Sequence, residues 1–555
     1  MPAKNYASTR FSTLTEINTD KVKNLRPAFT FSTGTIRGLE AAPLAVNNTM
    51  YIVTPFPNNL YALDLTKPGA PVKWVYEPHP EASAQGVACC DTVNRGAAYY
   101  NGRIYYNLLD VETVAVDANS GKLIWRTKLG DINNGESMTM APIVAKGVVI
   151  VGNSGGEFGV RGWLAGLDAN SGAIKWRAYS AGPDKDVLIG PNFKPFYKRD
   201  QGADLGVKTW PPDAWKIGGA AAWSWISYDP DLDLMYYGTS NPGPWNPEQR
   251  PGDNKWSSSL FARRPETGEA IWAYQMNPHD LHDYDGVNEN VLLDLTINGR
   301  ARKVLAHPDR NGFLYLMDRQ TGEIVSAEKF GYTNTAESVD LKTGELRLNT
   351  SKQTGFKTVR DACPAPPGVK DWQPSSFSPK TGLLYIPHNN LCYESQGVNA
   401  NYIAGTPYVG MKVRMYPGPG GNRGVFGAWD PVKAKYVWSI NENFPVWSGA
   451  LSTAGNVVFY GTMDGWFKGV DARDGKPLWQ FKVGSGIVGQ PVAYRGPDGK
   501  EYIAILSGVG GWAGAAVSGG LNGVDGTGAL GFLNAMSDLG KHTTKGGMLY
   551  VFSLP

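Results

Sequence analysis

The chain has 555 residues, with 53 Lys and Arg against 50 Asp and Glu for a formal charge of +3, and is rich in Gly (68) and Trp (18). So small a charge, with no basic run and no interleaving of Arg or Lys with aromatics, excludes an electrostatic footprint for nucleic acid. No apolar stretch reaches the roughly 18 residues of a membrane helix, and no Cys-x-x-Cys-His is present to attach a c-type haem.

The start, Met1-Pro2-Ala3-Lys4, lacks a hydrophobic signal region and reads as a mature N-terminus. Thr49-Met50-Tyr51-Ile52-Val53 then predicts a strand, and a hairpin follows that ends at Trp74. The hairpin phrase is clearest as Ala115-Val116-Asp117-Ala118-Asn119-Ser120-Gly121-Lys122-Leu123-Ile124-Trp125, and again as Gly166-Leu167-Asp168-Ala169-Asn170-Ser171-Gly172-Ala173-Ile174-Lys175-Trp176. Looser copies end at Trp272, Trp438 and Trp479, and Met317-Asp318-Arg319-Gln320-Thr321-Gly322-Glu323 is a degenerate one. In each, a strand enters an Asx/Gly turn and a second strand carries the Trp. Two hairpins in a period of about 50 residues make a four-stranded blade, which cannot cover its own apolar faces and must stack in a ring. Seven copies, with Gly547-Met548-Leu549-Tyr550-Val551-Phe552-Ser553 left to close the ring, predict an all-β fold: an eight-bladed β-propeller with tryptophan-docking repeats, one domain over 1–555. The spacing breaks between Trp176 and Trp272 and between Glu323 and Trp438, where long insertions are expected over the central channel.

Four stretches carry chemistry. Cys89 and Cys90 are adjacent; a trans peptide sets their Cα atoms about 3.8 Å apart, below the usual disulfide range of about 4.4–6.8 Å. They are two buried thiols or a strained eight-membered ring. With Cys363 and Cys392 they make an even count, which fits either two disulfides in an oxidising compartment or four free thiols. Gly152-Asn153-Ser154-Gly155-Gly156-Glu157-Phe158-Gly159 follows a strand and offers backbone N–H groups and one acid. It opens no helix, so a phosphate loop is not expected. Gly218-Gly219-Ala220-Ala221-Ala222-Trp223-Ser224-Trp225 lets something flat approach the backbone. In His279-Asp280-Leu281-His282-Asp283-Tyr284-Asp285, two carboxylates two apart point to one side of an extended segment, suiting a hard cation or a base of raised pKa. His279 and His282 lack a His-Glu-x-x-His pattern, which argues against zinc.

Together these stretches resemble the quinoprotein alcohol dehydrogenases, above all the large subunit of bacterial methanol dehydrogenases, from Gly38-Leu39-Glu40-Ala41-Ala42-Pro43 to Gly508-Val509-Gly510-Gly511-Trp512. Cys89-Cys90-Asp91-Thr92-Val93-Asn94-Arg95-Gly96 is similar to the family's vicinal-disulfide segment, and Cys363 and Cys392 match its second disulfide. The resemblance implies pyrroloquinoline quinone (PQQ) between the Cys89–Cys90 ring and Trp223. Its polar contacts would be Glu40, Arg95, Thr139, Ser154, Gly155, Gly156 and Arg310, with Trp447 as a further wall. It implies a metal held by Glu157, Asn241, Asp283 and Asp285, Asp283 as catalytic base with Arg310 beside it, and Trp245 in a small substrate pocket.

Three positions depart from the family. Ala221 stands where calcium enzymes have a threonine, and Asp371 where methanol dehydrogenases often have Asn. Asp285 stands where calcium enzymes have a small uncharged residue. The added carboxylate favours a trivalent ion by charge and coordination number, and the Asp-x-Asp pair resembles the family's lanthanide-dependent branch; calcium is the fallback. The implied activity is periplasmic oxidation of methanol or another short primary alcohol, with electrons passed to a cytochrome c, no membrane span, and compatibility with a homodimer. A dehydrogenase for longer alcohols or aldehydes is one competing reading. A non-catalytic propeller scaffold is another, though a scaffold needs neither the cysteine pair nor the acid cluster.

Overall fold

The computed structural model describes residues 1–521 and 525–555. Each copy of the repeated phrase forms the third and fourth strands of an antiparallel sheet. In the first sheet these are Leu60–Asp64 and Val72–Tyr76, preceded by Leu44–Val46 and Thr49–Val53. Six more follow in chain order, within 98–128, 143–179, 226–275, 291–329, 376–442 and 451–482. The last sheet joins Val492–Arg495, Glu501–Ser507 and Met548–Ser553 to Arg26–Ser32, so a strand from near the start of the sequence completes a sheet built from its end. Phe11–Ser12 also adds a parallel edge to Leu451–Thr453.

The sheets close into the propeller that the repeat predicts. Among the described residues, eight separate apolar cores each join one sheet to the next. The eighth packs Met50, Ile52 and Leu63 of the first sheet against Leu506, Leu549 and Val551 of the last. Strands flanked by neighbours on both faces are buried throughout, as in Thr49–Val53 and Val148–Gly152. The outermost strand Leu123–Lys128 buries only Trp125, whereas Ala270–Gln275, outermost in the fourth sheet, is almost wholly buried.

That tryptophan fastens one sheet to the next. The indole N–H of Trp125 donates to Ala169 O at 3.1 Å and that of Trp176 to Pro265 O at 3.0 Å; Trp272 and Trp438 bond likewise. Each ring also lies on the turn glycine of the following sheet: Trp74 on Gly121, Trp125 on Gly172, Trp176 on Gly268, Trp272 on Gly322 and Trp438 on Gly475. The fifth sheet has Ser326 at the tryptophan position, and the sixth carries Ala434, not glycine, at the matching turn. A Cβ is tolerated where no ring covers it. Gly172 has φ +74°, and a Cβ there would meet Trp125 at 2.7 Å. Gly172→Ala should therefore cost about 2–4 kcal/mol, from left-handed backbone strain and overpacking. Lys122→Ala, in an exposed turn, should change little. Thermal unfolding of the two variants checks this, and equal melting points would refute the docking role.

The insertions divide differently from expectation. The first, 180–217, does not lie mainly over the channel. Its apolar residues Val187, Leu188, Ile189, Phe193 and Leu205 sink into the core between the third and fourth sheets. It edges the fourth sheet through the Ile189–Ala270 bridge and a 2.7 Å bond from Lys194 N to Ile271 O. The second does cover the axis: Val359–Ala362, Leu391–Gly397 and Met411–Pro417 form a separate three-stranded sheet. A third, between Glu501–Ser507 and Met548–Ser553, brings the helices Gly511–Ser518 and Phe532–Ala535. One apolar cluster welds these caps to Trp225, Trp245, Trp372 and Trp447.

Candidate active site

In an up-and-down sheet, the connection entering the innermost strand and the one between the second and third strands lie at the same end. Every residue of the candidate site comes from one of these two places. Glu40, Cys89, Cys90, Arg95, Thr139, Trp223, Asp283, Asp285, Asp371 and Trp447 precede innermost strands; Ser154–Glu157, Asn241, Trp245 and Arg310 lie between second and third strands. The topology therefore gathers them on one face, under the cap, around one cavity.

Arg310 holds the acidic half together. Its Nη1 is 3.4 Å from Asp283 Oδ2, and its Nη2 lies 3.1 Å from Asp285 Oδ2 and 3.2 Å from Asp371 Oδ2. Asp285 Oδ2 also accepts from Trp223 Nε1 at 3.0 Å, and its Oδ1 accepts from the backbone N–H of Asn241. Asp283 and Asp285 do not lie on an extended segment. Asp283 has φ 68°, and the carboxylates converge through an irregular turn. Burial drives Asp283 well above the usual carboxylate range and Asp285 up to about 7, with Arg310 pulling both back. Burial raises Glu157 as well.

The other half is built on Arg95. It pairs with Glu40 Oε2 at 2.9 Å and donates to Thr139 Oγ1 at 2.7 Å, which in turn lies 3.2 Å from Ser154 Oγ. The guanidinium sits 4.7 Å from the Trp223 ring centre and 5.0 Å from that of Trp372. Burial pushes Glu40 up to about 8 against the pull of Arg95. Ala221 supplies no hydroxyl, but Ser240, bonded to the Ala221 N–H at 2.8 Å, lines the cavity with one.

All the site residues read from the sequence line this cavity except Asn241, which reaches it through Asp285 and sits close behind Gly156. Asp371, noted only as a departure, proves to be a third carboxylate on Arg310. Sequence reasoning gave no role to Trp372, Trp512 and Leu530, which also line the cavity; Trp512 ends a stretch already singled out and Trp372 follows Asp371, whereas nothing in the sequence marks Leu530. His279 and His282 turn away, to Gly252 O at 2.8 Å and Tyr393 Oη at 2.6 Å.

The cysteines answer differently. Cys363–Cys392 is a disulfide. Cys89 and Cys90 bring their Sγ atoms to 2.8 Å, longer than a disulfide and inside ordinary sulfur–sulfur contact. A bond needs about 2.05 Å and about 4.4 Å or more between Cα atoms, which adjacent residues on an undistorted trans peptide do not reach. As a thiol, Cys89 is pushed well above its ordinary value by a hydrogen bond with Cys90 and by burial.

For a cation, the donors are all oxygen, as a hard ion requires. Asn241 Oδ1 and Asp283 Oδ1 are buried without a hydrogen-bond partner. Among the described residues, no three His, Cys, Asp or Glu side chains already form a closed cage. Arg310 now occupies the carboxylates that an ion would share, and the set fits an ion whose shell is completed by another ligand.

Residues 1–329 and 423–503 match the family model "PQQ: Glucose/ethanol/alcohol dehydrogenase, beta-propeller domain". The chain is 52% identical to the lanthanide-dependent methanol dehydrogenase of Methylacidiphilum fumariolicum, covering 100% of this chain and 92% of that one. It is 43% identical to subunit 1 of the methanol dehydrogenase [cytochrome c] of Methylobacterium organophilum, over 100% and 90% of the two chains. A solved europium-containing methanol dehydrogenase superposes with a TM-score of 0.98 at 51% identity, over 100% of this chain and 97% of that one.

Proposed function

Because this chain belongs to the PQQ-dependent alcohol dehydrogenase family, we propose that it oxidises methanol or another short primary alcohol to the aldehyde, using PQQ and a lanthanide ion, and passes the electrons to a cytochrome c. The observation that carries this reading is the cluster of Asp283, Asp285 and Asp371 on Arg310, set in one cavity with Arg95 and Glu40. A periplasmic setting is supported by the Cys363–Cys392 disulfide, which suits an oxidising compartment; among the described residues, no helix is long and apolar enough to cross a membrane.

When bound, PQQ would supply a hydride acceptor for the alcohol carbon and the metal ion a Lewis acid beside it. Asp283 would take the hydroxyl proton. Arg310 favours the ionised, basic form of Asp283 and would place positive charge beside the cofactor's oxygens. Arg95 and Thr139, with Ser154, Gly155 and Gly156, would hold the cofactor's carboxylates and carbonyls. Trp223 and the Cys89–Cys90 pair would flank its plane, with Trp447 as a further wall. Trp245, its ring 6.3 Å from that of Trp512, would bound the space left for a small alcohol.

Glu157, Asn241, Asp283 and Asp285 would hold the ion. Three buried carboxylates, Asp283, Asp285 and Asp371, and the half-buried Glu157 stand against one guanidinium, so a trivalent ion compensates this site better than a divalent one. Protein freed of metal and reconstituted with PQQ and either lanthanum or calcium should oxidise methanol, in a dye-linked assay, at least about tenfold faster with lanthanum. Equal or greater activity with calcium would remove the lanthanide assignment. No activity and no bound-quinone spectrum with either ion would remove the enzymatic reading altogether.

A further inference from the structure

Asp283 sits in the left-handed region at φ 68° on a segment without regular structure. A non-glycine residue stays there only when its surroundings over-determine it. Three groups of contacts do so. The Asp280 carboxylate accepts from the backbone N–H groups of His282, Asp283 and Tyr284 at 3.2, 2.9 and 3.1 Å. On one side of Asp283, His282 Nδ1 bonds Tyr393 Oη at 2.6 Å. On the other, Tyr284 Oη donates to Pro364 O at 2.6 Å.

Tyr393 follows Cys392 and Pro364 follows Cys363, and these two cysteines form the disulfide. The side chains on either side of Asp283 therefore end on the residues that follow the two halves of one covalent bridge. The same unit reaches the other partner of the site: Arg310 Nη1 donates to Pro366 O at 3.2 Å and to Asp283 O at 3.0 Å. His282, Tyr284, Tyr393, Cys363 and Cys392 are all buried, so water does not substitute for these bonds. A bridge serving only to staple a surface sheet would have no reason to terminate both anchors of one strained aspartate.

We propose that the Cys363–Cys392 disulfide, acting through Tyr393 and Pro364, is a positioning clamp that fixes the directions of the Asp283 and Asp285 carboxylates. The proposal rests on the reading of Asp283 as base and Asp285 as metal ligand. His282, Tyr284 and Tyr393 are thereby positioning residues that touch neither cofactor nor substrate. Removing an outer partner of this kind typically weakens metal binding or turnover by about 10- to 100-fold.

The test uses the full chain loaded with quinone. Variants Tyr393→Phe, Tyr284→Phe and the double Cys363→Ser/Cys392→Ser are titrated with terbium by luminescence, assayed for methanol oxidation with lanthanum, and melted. In Tyr393→Phe, terbium affinity and kcat should each fall about tenfold, with KM unchanged and the melting temperature within about 2 °C of the parent. The double serine variant should show the same losses. If the variants bind terbium and turn over like the parent while only melting earlier, the bridge is a stability element and the clamp is wrong. If the double variant fails to fold, Tyr393→Phe decides alone. If the parent binds terbium but oxidises no alcohol, the functional reading fails, and the terbium affinities of the variants still decide the clamp.

Discussion

Asp283→Asn should leave a folded protein that still binds PQQ but whose kcat for methanol is lower by about 10²–10⁴, the usual contribution of a positioned base. The substitution preserves the shape of the side chain and the three backbone N–H bonds to Asp280 that shape the turn. It also leaves Arg310 anchored, because the guanidinium keeps Asp283 O at 3.0 Å, Asp285 at 3.1 Å and Asp371 at 3.2 Å. What disappears is an oxygen able to take a proton. The measurement is steady-state dye-linked oxidation beside the absorbance of the bound quinone. Turnover within about threefold of the parent would move the base elsewhere.

The second large effect falls on stability. Arg310→Met should destabilise the metal-free protein by about 3–5 kcal/mol, the cost of leaving buried charge without its partner. Asp283, Asp285 and Asp371 all depend on this guanidinium, and Asp285 is already lifted to about 7 by burial with Arg310 opposing the rise. Added lanthanum should restore more of the melting temperature in Arg310→Met than it adds to the parent, because a cation that binds only the folded state replaces the lost charge. Equal gains in the two proteins would mean that metal and Arg310 act on different carboxylates.

Much of the fold was legible because the docking tryptophan obliges the next turn to be glycine, which stamps the same phrase into the sequence each time. Where the ring is missing, as at Ser326, the constraint lapses and Ala434 replaces glycine; this is why the copies around the fifth and sixth sheets look degenerate. The fate of the insertions was not legible, since whether 180–217 covers an axis or a rim depends on which core its apolar residues enter. Nor did any short-range pattern mark Gly511–Ser518 and Phe532–Ala535 as part of the cap.

The site divides in the same way. The aspartate pair was visible as a pattern, but its convergence comes from a left-handed residue, not from strand alternation. The roles of Glu40, Arg95 and Trp447 came from family resemblance, because residues so far apart meet only through the closure of the ring. That Asp371 shares Arg310 with the aspartate pair is a fact of three dimensions that no spacing encodes. At Cys89 and Cys90 the bond came from the resemblance alone; the structure brings the two sulfurs to 2.8 Å.

The pairing of Arg26 with Ser553 has a consequence in time. Seven sheets can assemble from neighbouring segments as the chain is made, but the eighth waits for a partner from the far end. Its closure bears the entropy of the largest loop in the molecule and the slow kinetics of high contact order. Until then the first and seventh sheets expose apolar faces that the eighth will cover, and the newborn chain is most vulnerable to aggregation in the interval before its two extremities meet.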